Sequence, residues 1–144
     1  MQKAFSLLEV LLVIASILII LTFAVPKFNN IISNSNITEL KSNLAIIRNN
    51  ISKLKTSQIL LNNSSIINSL DDAVINKKDE LLFTKLIYFS IVSTNSSINE
   101  IGKWIKFSDK SYKYILSSSK NIEFLLEDNI FKCVSNFEIC KEIE

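Results

Sequence analysis

Between Phe5 and Val25 the chain reads FSLLEVLLVIASILIILTFAV, an apolar run of 21 residues interrupted by one charge, Glu9. No other feature limits the fold as strongly. As a helix rising about 1.5 Å per residue, the run spans roughly 31 Å, the thickness of one bilayer core. A cleaved secretory signal fits poorly. Its apolar stretch runs about 7–15 residues, follows a clearly basic segment and ends at a small-x-small site. Here MQKA precedes the run with one basic residue, Lys3, and Pro26-Lys27 follows it. The segment is expected to stay on the chain and hold it in a membrane as a single-pass anchor.

Glu9 needs a physical reason. A carboxylate inside a membrane helix costs about 2.5–3.5 kcal/mol near the centre and less near an end. The next basic residue along the run is Lys27, about 27 Å away at helical rise. The partner of Glu9 is therefore to be sought in lipid headgroups, in a second chain, or in an amine made by cleavage.

The stretch KA/FSLLEVLLVIASIL resembles the N-terminus of type IV prepilins and pseudopilins. That family has a short basic leader, a cut before a residue (usually Phe) that becomes N-methylated, and a Glu at the fifth mature position. The resemblance places the cut between Ala4 and Phe5, the methyl group on Phe5, and Glu9 at mature position five. It places Pro26 at mature position 22, where many pilins carry a proline that loosens or breaks the helix. One departure is Ala4, where the family nearly always has Gly; the site stays small. The resemblance covers residues 1 to about 30. It implies a prepilin peptidase, other pilin or pseudopilin subunits and an inner-membrane assembly platform as partners. In such subunits the Glu of one copy meets the cationic amine of another, a register device more than a net stabiliser.

After Pro26 the apolar residues Ile37, Leu40, Leu44, Ile47, Ile51, Leu54 and Leu61 recur at alternating spacings of three and four, with Gln58 in the one polar slot. This predicts an amphipathic helix ending near residue 63. Farther on, Asp71-Asp72 suggests the cap of a short helical segment through Lys78. Both this acid pair and Glu127-Asp128 read as solvated caps or turns. LLFTKLIYFSIV, Leu81 to Val92, is too short to span a membrane and reads as buried core, helix or strand. STNSSIN, 93–99, reads as a polar loop.

The last third alternates with period two. Trp104–Phe107, the run 111–116 with Tyr112, Tyr114 and Leu116 on one face, Ile122–Leu126, and Ile130–Cys133 after an Asp128-Asn129 turn predict a three- or four-stranded antiparallel meander. The expected fold is therefore α+β: a long N-terminal helix, half membrane and half amphipathic, packed on a small antiparallel sheet. The expected divisions are 1–4 leader, 5–25 transmembrane and assembly helix, 26–63 helix continuation, and 64–144 a small α+β head.

Cys133 and Cys140 enclose six residues, VSNFEI. A zinc site needs two more soft ligands, the chain has no histidine, and no CxxC motif is present. Buried free thiols and a disulfide remain; a head outside the cytoplasm favours the disulfide. Pilins and some pseudopilins often carry such a C-terminal bridge, usually with a longer loop than this one. With no histidine, one glycine and no phosphate loop, the usual catalytic and dinucleotide constellations cannot be built, and neither enzyme activity nor a cofactor is expected. A net charge of +2 from scattered basic residues leaves a nucleic-acid surface possible only where folding gathers them.

Two function classes remain. One is a structural subunit, a pseudopilin or minor pilin of a type II secretion, pilus-like or DNA-uptake apparatus, with its N-terminus cytoplasmic and its head periplasmic at a bacterial inner membrane. The other is a singly anchored periplasmic binding protein that never assembles, which has no use for Glu9 in register with Phe5. The first predicts a mature protein that begins at Phe5 and carries one methyl group on its amine, read by intact-mass or N-terminal peptide analysis. A start after Val25 indicates ordinary signal-peptide cleavage instead.

Overall fold

Both periodicities become secondary structure in the computed structural model, which describes residues 7–62, 66–89 and 91–143, without the side chains of 25–33. The elements are α1 (Leu7–Leu60), β1 (Leu81–Leu82), β2 (Ile91–Val92), β3 (Trp104–Lys106), β4 (Ser111–Ile115), β5 (Asn121–Glu127), β6 (Ile130–Cys133) and α2 (Phe137–Ile143). The class is α+β. Two compact units divide the chain, Met1–Ser35 and Asn36–Glu144. The first is described below with the candidate site.

In the second unit, the helical stripe buries Leu40, Leu44, Ile47 and Ile51 and half-buries Ile37. Leu54 sits at the margin at 36% exposure and Leu61 is out in solvent at 75%, so the packed stripe ends at Ile51. Asn62 stops the helix in the left-handed region (φ 54°), a conformation that asparagine tolerates better than most side chains. The Leu61 and Asn62 amides bond back to Ser57 and Ile59.

The stripe faces a four-stranded antiparallel meander, β3-β4-β5-β6. Register sets Trp104 opposite Tyr114, Tyr112 opposite Phe124, and Leu126 opposite Phe131. One face therefore carries a row of rings that Phe83 joins from outside the sheet, 4.7 Å from Tyr112 and 5.3 Å from Trp104 between centroids. The β5–β6 connection is the expected Asp128-Asn129 turn. Both residues have positive φ (53° and 60°), which matches the right-handed strand twist in a two-residue hairpin. Arg48 Nε donates to the Phe131 carbonyl on the outer strand, 3.0 Å.

The segment before the meander departs from expectation. No helix runs from 71 to 78, and Asp71 is not a solvated cap: it is 1% exposed. Its Oδ1 accepts from Lys106 Nζ (2.9 Å) and the Ala73 amide (3.2 Å); its Oδ2 accepts from the Phe83 amide (2.9 Å) and the Tyr112 hydroxyl (2.8 Å). Those amide bonds to Asp71 replace the helix. The stretch Leu81 to Val92, expected to be buried core, is so only in part: Leu82, Phe83, Leu86, Ile87 and Ile91 enter the core, while Leu81, Tyr88 and Phe89 are exposed, and its ends pair as the short antiparallel strands β1 and β2. Phe83 turns the chain there at φ 59°, rare for a bulky residue, with its amide fixed on Asp71. Ser93 and Thr94, expected in a polar loop, are buried. The Thr94 amide bonds the Trp104 carbonyl (2.8 Å), and Ser93 Oγ accepts from the Glu80 amide and donates to the Lys77 carbonyl.

Lys106, 2% exposed, also donates to the Ala73 carbonyl (3.0 Å) and Asp109 (3.2 Å). Burial pulls its pKa down, but the hydrogen bonds and charges of Asp71 and then Asp109 outweigh that and leave it raised. The contribution of the pair is complete below the ordinary value of 10.5 and is lost as pH climbs through the raised folded value. Lys106→Ala strands the Asp71 charge and is expected to cost about 3–5 kcal/mol. Lys132→Ala, whose partner Glu127 is exposed, leaves stability unchanged. Denaturant unfolding of the full chain in detergent, followed by the fluorescence of its single tryptophan, compares the two.

Candidate functional site

From Leu7 to Ala24, α1 has a mean hydropathy of 2.8 and no buried residue, which makes it long and apolar enough to cross a membrane. Leu7, Leu8, Leu11, Leu12, Leu18 and Ile20 are all well over half exposed, so the apolar surface continues around the helix. A helix that is hydrophobic on every side needs an apolar surrounding, lipid or other chains.

Only three side chains in Leu7–Ala24 are polar: Glu9, Ser16 and Thr22. Ser16 Oγ donates to the Leu12 carbonyl (2.8 Å) and Thr22 Oγ1 to the Ile19 carbonyl (2.7 Å). Both hydroxyls are thereby satisfied by the helix itself, the way such groups are tolerated in lipid. Glu9 is different. It lies in the first turn, exposed, and among the described residues no hydrogen bond or ion pair reaches its carboxylate. With Val10, Val13 and Ile14 it lines one shallow hollow on the helix surface. A lone acceptor-only group on an apolar helix binds a donor, and a cationic donor best.

The other sequence-derived residues divide by place. Ala4 and Phe5 lie outside the described residues. The helical assignment of α1 runs through Pro26, whose side chain is also outside them. Proline has no amide hydrogen for the carbonyl four residues earlier, which is that of Thr22. Cys133 and Cys140 are joined in a disulfide, with Cα atoms 5.7 Å apart. The bridge ties the end of β6 to α2, a helix that the sequence reading omitted. The Asn136 side chain accepts from the Glu138 amide (3.2 Å) at the start of α2, and Ile143 enters the core. No stripe of several turns marks so short a helix in sequence.

The Asp71 cluster was also missed, though strand parity carried a signal. The alternation that turns Trp104 and Tyr112 inward also turns Lys106 inward, and a buried ammonium requires an acid. Both Asp71 oxygens are occupied, and burial followed by the Asp71 charge holds the Tyr112 phenol above its ordinary pKa, as a donor. Among the described residues no group of three or more His, Cys, Asp or Glu is placed to hold a metal.

Comparison with known proteins found no matching family model, no matching curated protein and no matching solved structure. The disulfide gives a direct expectation. Non-reducing peptide mapping shows Cys133 and Cys140 linked, and reduction lowers stability by roughly 2–3 kcal/mol, the chain-entropy value for so small a loop. Full alkylation of both thiols in unreduced, freshly isolated protein contradicts it.

Proposed function

We propose that this chain is a pilin-like structural subunit, cut by a prepilin peptidase between Ala4 and Phe5 and assembled through its N-terminal helix. The observation that carries the reading is the carboxylate of Glu9, without a partner among the described residues, on the apolar stretch Leu7–Ala24, whose other two polar side chains, Ser16 and Thr22, are satisfied by the helix itself. On this reading Glu9 waits for the methylated amine of Phe5 on a neighbouring copy. Each group then offsets the desolvation of the other, and the pair forms at one axial register only.

The leader, Phe5, Glu9 and Pro26 in register support the assignment, as do the α+β head and the C-terminal disulfide. The subunit proposed is a pseudopilin or minor pilin, anchored in the inner membrane of a bacterium with the head in the periplasm. Type II secretion and DNA uptake are equally served by such a subunit; general-secretion genes or competence genes beside this one decide between them.

Glu9→Val separates assembly from anchoring. The segment becomes uniformly apolar, so insertion is unharmed or improved by up to a few kcal/mol. Cleavage after Ala4 continues, because leader and Phe5 are untouched. Assembly fails, since an incoming amine is buried without its partner at a cost of about 3–5 kcal/mol, two decades or more in an equilibrium. Subunit crosslinking, measured beside secretion and transformation, reads this out. Normal assembly and activity in Glu9→Val leaves Glu9 without a filament role and the plain anchor as the reading to keep.

A further inference from the structure

A groove of about 480 Å³ opens in the Asn36–Glu144 unit between one face of α1 and the segment from Phe89 to Trp104. Its volume falls within the range of small-ligand sites. The α1 wall presents Asn36, Glu39 and Asn43, at spacings of three and four. Asn36 is tied to the sheet: its side-chain Nδ2 donates to the Leu116 carbonyl (3.3 Å) and its backbone carbonyl accepts from the Tyr114 hydroxyl (3.2 Å). Glu39 and Asn43 have no such partner among the described residues, and neither has Lys103 on the opposite wall. A carboxylate and an ammonium therefore line one groove without pairing with each other.

Between these polar groups the lining is apolar. Ile91 and Trp104 are buried there, at 9% and 1% exposure, while Phe89 and Ile101 stand near half exposure. Among the described residues the indole N–H of Trp104 is buried without a hydrogen-bond partner, a donor lacking an acceptor, which native interiors seldom leave. The wall also holds the only glycine of the chain, Gly102, at φ 78°; a Cβ there would come within 3.4 Å of Asn36 Oδ1. The backbone thus passes close to α1 and shapes the groove.

We infer that this groove binds an extended polypeptide segment offering one large apolar side chain flanked by a basic and an acidic residue. The apolar side chain covers Ile91 between Phe89 and Ile101. The flanking base meets Glu39, the flanking acid meets Lys103, and a peptide amide meets Asn43. Charge complementarity selects this class of ligand: a sugar has no charge for either wall, and an anion alone meets repulsion from Glu39. The inference is independent of Glu9 and of assembly.

Trp104, the single tryptophan, lies in the lining and reports on it. Full-length protein in detergent is titrated with the capped tripeptide lysyl-leucyl-glutamate, followed by tryptophan emission and by calorimetry, which does not depend on the indole. Saturable binding is expected, weakened about tenfold in Glu39→Gln and again in Lys103→Gln, because each loses one charge-assisted contact. Both substitutions are at solvent-accessible positions, so thermal unfolding stays as in the parent. Glutamyl-leucyl-glutamate and lysyl-glycyl-glutamate bind at least tenfold more weakly. Absence of saturable heat with lysyl-leucyl-glutamate, equal binding by the variants, or preferential binding of maltotriose overturns the inference.

Discussion

The carboxylate of Asp71 holds together a part of the chain that secondary structure does not. It is buried, and its two oxygens take four donors from Lys106, Tyr112 and the amides of Ala73 and Phe83. Through them the irregular segment 69–87 is fixed to β3 and β4 of the meander. Without that anchor, Phe83 loses what holds it at φ 59°, and its ring leaves the aromatic row of Trp104, Tyr112 and Phe131. A buried charge is tolerable here because the partner and the remaining lone pairs are supplied together.

Glu9 poses the same problem in the other unit and meets it differently. Asp71 finds its cation in its own chain; among the described residues Glu9 finds none, while Ser16 and Thr22 close on their own helix. Both carboxylates obey one rule, that a charge in an apolar surrounding needs an opposite charge. For Asp71 the result is a fixed core. For Glu9, on the proposed reading, it is a demand for a second subunit.

The α+β class and the meander were legible because period-two alternation survives through β5, β6 and most of β4, though β3 is buried throughout, and because Asp128-Asn129 suits the left-handed turn. Leu40, Leu44, Ile47 and Ile51 were legible from helical spacing, though spacing alone carried the stripe too far, to Leu61. The segment 69–99 was not legible. There the backbone is satisfied by side chains such as Asp71 and Ser93 rather than by ladders, and composition makes buried polar residues look solvated. The Cys133–Cys140 bridge was one of two open readings, since spacing does not reveal whether strand and helix bring the thiols together. The groove was invisible in sequence because its walls come from distant parts of the chain, Asn36–Asn43 and Phe89–Trp104. Glu9 stood out at once, as the lone charge in an apolar run.

Placing a photo-crosslinking amino acid at Val13, which shares a hollow with Glu9, tests subunit pairing most directly in living cells. Pairing across copies predicts an adduct whose second peptide begins at Phe5 of another copy, and whose yield collapses when Glu9 is also replaced by Val. Adducts confined to lipid, or a yield indifferent to Glu9, would contradict it.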